Sequence, residues 1–211
     1  MSKGYYLSEN GEQVGPFTFE ELTTRGLDVL ESILPDESDT WQIAGDLPEF
    51  YTYFENKGIY LPTGDNLASF GWRLLAYIVD NLVLTIIMDI VFYLLPYLGI
   101  TFKVPTYSEL FKLPVSALLT LTLINSVALI LYNAVCEASP MEGSIGKRIF
   151  RMVVVDVNGQ GQTIISALIR SFGKALSIFF FYSGFISIFF TEHKQALHDF
   201  MAKTYVVKRE F

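Results

Sequence analysis

The chain reads as an α-helical membrane protein, with two spans, a third hydrophobic segment that re-enters the bilayer, and a small α+β domain in front of them. Three observations predict this. Of the 211 residues, 51 % are hydrophobic and 18 % charged, with mean hydropathy +0.38, whereas soluble domains carry roughly 25 % charged residues. The first 66 positions hold 13 of the 22 acidic and 3 of the 15 basic residues, net −10, which leaves the rest of the chain at net +3. Two apolar runs, about 70–95 and 113–136, are long enough for a ~30 Å hydrocarbon core, which takes ~20 residues.

The N-terminal domain is placed at residues 1–62. Residues 4–17, GYYLSENGEQVGPF, alternate apolar and polar on both sides of Asn10-Gly11, a dipeptide suited to a tight hairpin turn. Thr18 with Glu21 three residues later makes a capping box, and Gly26 is placed to end the short helix that follows. A second strand region reaches Trp41, and the stretch to Tyr60 is aromatic and acidic. No basic n-region or apolar h-region opens the chain, so this domain is expected to stay in the cytoplasm.

Tyr5-Tyr6, Gly15-Pro16-Phe17, Glu20-Glu21-Leu22 and Trp41 followed by Ala44 resemble the bacterial variant of the GYF domain, over residues 4–50. The resemblance implies an adaptor fold whose aromatic cradle takes proline-rich peptides preformed as polyproline II. Tyr6, Pro16, Phe17 and Trp41 are the positions it assigns to peptide binding. The Gly-Tyr-Phe tripeptide that names the family has no counterpart after Trp41, and the same aromatics also suit the core of a small domain.

Residues 63–69 form a linker, with Pro62-Thr63-Gly64 at its start, and residues 70–211 a membrane domain. The first span carries Arg73 where it enters and Asp80 ~15 Å below the start of the segment. An ionised group there costs at least ~2.5–3.5 kcal/mol unless it finds a partner. The two are seven residues apart and share one helix face, which should look into protein. Lys147, Arg148 and Arg151 cluster after the second span, and the positive-inside rule puts that loop and the N-terminus in the cytoplasm. With Arg170 they form a basic group at the cytoplasmic face suited to anionic lipid headgroups. Residues 149–155, with Asn158-Gly159 and Thr163-Ile164-Ile165, read as a short surface hairpin. The stretch 164–190 holds Arg170 and Lys174 early, then about 15 uncharged residues. Basic residues lie on both sides: a simple third span would put the basic tail outside, against the charge rule, whereas a hairpin that re-enters and turns near Gly184 returns it to the cytoplasm and is the preferred of the two readings.

Arg73 and Asp80, Gly146-Lys147-Arg148, Val153-Val154-Val155, Asn158-Gly159, Arg170, and Gln195-Ala196-Leu197-His198-Asp199 with Thr204 to Val207 look like the RDD family of bacterial membrane proteins, over about 67–208. The resemblance implies a multi-pass inner-membrane protein and maps the family's Arg and two Asp to Arg73, Asp80 and Asp199. Transport of an ion or small solute is the activity it suggests.

These residues support two readings. Asp80, with Arg73, Asp199 and His198, is a group able to exchange a proton or cation, and Asn81, Asn125, Asn133 and Glu137 line a polar path. Alternatively the charges pin the first helix to the C-terminal segment, and the protein acts as a membrane scaffold that recruits a cytoplasmic partner. Two spans and a hairpin make little wall for a pathway, so transport calls for a homo-oligomer. No cofactor or metal site is expected: His193 and His198 are five apart, and the lone Cys136 has no second thiol. Gly143 to Lys147 lacks the first glycine of a phosphate loop. His198-Asp199 has no nucleophile at a recognisable motif, so no enzyme is expected. The charge pattern lacks a nucleic-acid footprint; the expected partners are the lipid bilayer and a proline-rich peptide.

Overall fold

The computed structural model describes residues 4–9, 11–100, 107–110, 112–179 and 183–209. Asn10 of the expected turn, Lys103 and Pro105 of the inter-span loop, and the centre of the third hydrophobic stretch lie outside them. The chain divides into two compact units, residues 1–61 with 157–160, and residues 62–156 with 161–211.

The first unit is built on an antiparallel sheet of order β2-β1-β3-β4, with β1 Tyr5–Glu9, β2 Glu12–Phe17, β3 Ser32–Pro35 and β4 Gln42–Ile43. Tyr5 and Leu7 are buried on one face of β1, while Tyr6 lies half-buried on the other. Helix α1, Phe19–Arg25, starts at the capping box: the Glu21 N–H donates to Thr18 Oγ1 at 3.3 Å and the Thr18 N–H to Glu21 Oε2 at 2.8 Å. It stops at Gly26, whose φ of 95° is the left-handed conformation that closes helices. The aromatic stretch after Trp41 forms α2, Tyr51–Asn56, which buries Phe54 beside Phe50. These two rings with Tyr5, Leu7, Leu22 and Ile33 make an apolar core, and Tyr5 packs edge-on against Phe50 at 5.3 Å.

The second unit contains two helices long and apolar enough to cross a membrane, α3, Phe70–Leu94, continuing as a 3-10 turn to Leu98, and α5, Val115–Glu137. A four-residue helix, α4, Tyr107–Leu110, lies between them. Then follow α6, Ile145–Ile149, β5, Met152–Val155, α7, Ile164–Phe179, α8, Ser183–Ile186, α9, Leu197–Ala202, and β6, Tyr205–Lys208.

Of the expected hairpin of residues 149–165 a single antiparallel bridge forms, Val155 to Gly161 across Asn158-Gly159, and no second strand follows. β5 pairs antiparallel with β6, Val153 opposite Val207, 54 residues away in sequence. Thr163 instead begins α7, its hydroxyl accepting from the Ser166 N–H at 3.3 Å. All four β5 residues are buried, and such a strand needs cover on both faces, which a surface hairpin does not supply.

Helix α7, at 16 residues, is shorter than a span. Gly184 of α8 lies so close to Ser177 of α7 that a Cβ would fall 2.0 Å from its hydroxyl. A helix running on would separate these residues by ~10 Å, so the chain has changed direction between them. The same closeness seats α6 on α3. A Cβ on Gly146 would stand 2.2 Å from the Ala76 carbonyl oxygen.

Apolar side chains cover the outside of this unit. Leu75, Ile78, Leu82, Ile86 and Ile90 of α3, Leu119, Leu123 and Leu131 of α5, and Ile165, Leu168 and Phe172 of α7 are exposed, whereas Arg73, Asp80, Asn133, Glu137, Arg170 and Asp199 are buried.

Candidate functional site

Two pairs spaced i, i+4 meet in the interior: Asn133 and Glu137 on α5, Arg170 and Lys174 on α7. Glu137, fully buried, accepts through Oε2 from Arg170 Nη1 at 2.7 Å and Gln162 Nε2 at 2.9 Å. Its Oε1 accepts from Lys147 Nζ and, at 2.8 Å, from Lys174 Nζ. Lys174 also donates to Asn133 Oδ1 at 3.1 Å. Arg170 spans two carboxylates, because its Nε and Nη2 donate to Asp199 Oδ1 at 2.9 and 2.7 Å. Asp199 Oδ2 accepts from Arg73 Nη1 and from the Ala196 N–H at 3.1 Å. One guanidinium therefore joins α5, α7 and α9, and a second ties α3 to α9.

Asp80 has a different environment. Its carboxylate accepts from Ser144 Oγ at 2.6 Å, the Gly146 N–H at 2.8 Å and Tyr132 Oη at 2.9 Å. Tyr132 Oη in turn accepts from the Ile145 N–H at 3.2 Å. Asp80 thus anchors the start of α6, the place where negative charge is favoured. The absent Cβ of Gly146 lets α6 come close enough to reach it.

A cavity of about 40 Å³ lies within this network, lined by Arg73, Asp80, Asn133, Lys147, Arg170, Lys174 and His198, with Ala76, Leu129 and Val206 among its apolar wall. It has room for a few waters or a small ion. Arg73 Nη2, buried beside it, has no hydrogen-bond partner. Among the described residues, four cationic side chains, Arg73, Lys147, Arg170 and Lys174, gather with three carboxylates, Asp80, Glu137 and Asp199.

Burial pushes the Lys174 amine down to about 7, Lys147 and Arg170 adding to the effect and Glu137 opposing it. This ammonium therefore titrates near neutral pH. Burial also holds His198 well below the usual imidazole range, with Arg170, Lys174 and Arg73 overcoming the pull of Asp199, so the imidazole is neutral. For Asp199, burial acts to raise the carboxyl, but Arg170 and Arg73 outweigh it and keep the group well below its ordinary range.

The residues singled out in the sequence fall in several places. Arg73, His198, Asp199, Asn133 and Glu137 come together, whereas Asp80 lines the same cavity but is held by Ser144, Gly146 and Tyr132. Asn81 donates to the Tyr77 carbonyl of its own helix at 2.8 Å, and Asn125 is exposed on α5. The expected lipid-facing group divides: Lys147 and Arg170 are buried on Glu137, while Arg148 and Arg151 are exposed. Two buried carboxylates draw these cations inward. Lys174, Gln162, Ser144 and Tyr132 were not anticipated as site residues, although the matching i, i+4 pairs on α5 and α7 were a usable signal. In the first unit, Tyr6 has its ring against Gly15, Pro16 is exposed, Phe17 packs partly on the core, and Trp41, 44 % exposed, precedes the edge strand β4.

The family model of the RDD family matches residues 67–203. The chain belongs to the RDD family. The match takes in every charged member of the buried cluster and leaves residues 1–66 uncovered. RDD proteins are membrane proteins, in keeping with the two apolar helices. The RDD chain is 34 % identical over 146 residues to the uncharacterized protein YxaI of Bacillus subtilis (strain 168), an alignment that spans 66 % of this chain and 96 % of that protein. No solved structure matches.

Proposed function

We propose that this is a multi-pass protein of a bacterial inner membrane, with its N-terminal unit in the cytoplasm, and that its RDD domain carries a small ion or solute across the bilayer. The observation that carries this reading is the polar cavity itself. Hydrocarbon-facing helices enclose a space lined by charged groups, one of whose guanidinium nitrogens lacks a partner and one of whose amines titrates near neutral pH. Charges at such depth are costly and are kept for pathways or for pairing. Lys174 is the group placed to release and regain a proton as the cavity fills and empties, and a second copy of the chain completes the wall of the pathway. The N-terminal unit, GYF-like in its motifs, serves as a module for a proline-rich peptide or protein.

A second reading, a scaffold that transports nothing, is favoured by the bonding of Glu137 and Asp199, each of which already accepts four hydrogen bonds. Saturated carboxylates suit a structural network.

Flux measured in proteoliposomes separates the two. Wild-type protein is expected to move Na⁺, K⁺ or H⁺, and Lys174→Met to stop it at equal reconstituted amounts, since Glu137 keeps Lys147, Arg170 and Gln162. Absence of flux in the wild type would contradict transport. The scaffold would then be tested by co-purification with the full-length chain, where Trp41→Ala is expected to remove the partner.

A further inference from the structure

A second cavity, of about 80 Å³, is lined by Arg148, Arg151, Met152 and Arg209. The backbone holds these cations together. Met152 pairs with Lys208 at the end of the β5–β6 ladder, and one step further on the Arg209 N–H donates to the Arg151 carbonyl at 2.8 Å, so two arginines are cross-strand neighbours. Like charges in that register repel. Arg148 joins them from α6, donating through Nη1 to the Met141 carbonyl at 3.1 Å. Of the acidic groups, Glu142 reaches this cluster, accepting from Arg209 Nη2 at 3.3 Å. Among the described residues, three guanidiniums stand against that one carboxylate, a net positive lining suited to a multivalent oxyanion, which the planar guanidinium fork recognises well.

The surroundings indicate the anion's source. Trp72, in the first turn of α3, lies with its ring 5.7 Å from that of Phe150 and with Lys208 Nζ 4.0 Å from its centroid. Phe150 and Lys208 immediately precede Arg151 and Arg209 in sequence. Trp at the end of an apolar helix marks the headgroup level of a bilayer, and a basic cluster there attracts anionic lipids. Exposed Ile149 adds apolar surface next to Arg148.

We propose that Arg148, Arg151 and Arg209 form a phosphate-binding pocket that holds the headgroup of an anionic phospholipid where α3 enters the membrane. The proposal rests on α3 crossing the bilayer and is independent of whether the RDD domain transports anything.

The test uses full-length protein in non-ionic detergent, with native mass spectrometry counting retained lipid and thermal unfolding as a second readout. Three probes are compared: phosphatidylglycerol, phosphatidylcholine of the same chains, and inorganic phosphate. Wild type is expected to retain phosphatidylglycerol over phosphatidylcholine, and the exposed pair Arg148→Gln with Arg151→Gln to lose roughly tenfold or more of that preference. Arg148→Gln alone carries the same test with a smaller loss if the double variant does not purify. Equal retention of the two lipids, or an unchanged preference in the variant, would overturn the proposal. Stabilisation by inorganic phosphate as large as that by phosphatidylglycerol would overturn the lipid assignment and make this a soluble-phosphate site. None of these outcomes depends on flux, and α3 failing to insert would show separately, as protein purifying without detergent.

Discussion

The two units of this chain solve the same problem with opposite chemistry. In the first, Phe50, Phe54, Leu22 and Ile33 are inside and acidic side chains face out. In the second, arginines, lysines and carboxylates are inside and leucines and isoleucines face out. Water makes burial of apolar surface the driving force for the first unit. Lipid offers no such force between helices, so polar contacts and close packing must join the elements of the second. Two leucines state the contrast most simply: Leu30 and Leu82 are each 60 % exposed, and the account gives them different solvents.

The largest effects break this contrast at the two cores. Arg170→Met removes the guanidinium that joins Glu137 to Asp199, leaving Lys147 and Lys174 on the first and Arg73 on the second, and is expected to cost about 3–5 kcal/mol, read as a lowered unfolding temperature in detergent. Phe54→Ala should cost a similar ~3–5 kcal/mol in the first unit, there by opening an apolar void. If Arg170→Met proved neutral, the ionic core would be dispensable and the contrast empty.

Gly146→Ala comes next, at about 1–3 kcal/mol, because its methyl would collide with the Ala76 carbonyl oxygen and lift α6 from Asp80. Unfolding melts measure it, and Ser144→Ala, which removes one donor from Asp80 without a clash, should cost less.

The pH dependence of stability is smaller when taken per pH unit. Lys174 sits near 7 when folded, against 10.5 unfolded, so between these values the unfolded chain binds more protons. Its contribution to stability therefore rises as pH goes from about 7 to about 10, by at most about 1.4 kcal/mol per pH unit, and levels off below 7. Melting wild type beside Lys174→Met across pH 6–9 isolates that slope, which the variant should lack.

The smallest effect belongs to the surface of the first unit. Thr18→Ala removes the capping box and should lower that unit's stability by about 1 kcal/mol, measurable by chemical denaturation.

What the sequence revealed follows the range of the interactions. The two long helices, the capping box and the stop at Gly26 are local and were legible in consecutive residues. The partner of β5 was not, because an all-apolar strand states that both faces must be covered without stating by what. The buried cations divided for a related reason. Lys147, Arg148, Arg151 and Arg170 look alike as a basic group in sequence, and which of them turn inward depends on where Glu137 and Asp199 come to rest. Arg73 and Asp80 share a helix face as their spacing required, yet Arg73 pairs with Asp199 and Asp80 with neutral donors, a choice made by the position of α6.

The most direct test of the inside-out account compares Leu30 and Leu82. Each is replaced by cysteine in a Cys136→Ala background, spin-labelled, and reconstituted in liposomes, and collision rates are measured with oxygen, which enters hydrocarbon, and with a nickel chelate, which stays in water. The account predicts high oxygen and low nickel collision at residue 82, with the reverse at residue 30. Nickel collisions at residue 82 as frequent as those at residue 30 would contradict it, because the apolar surface of the second unit would then face water.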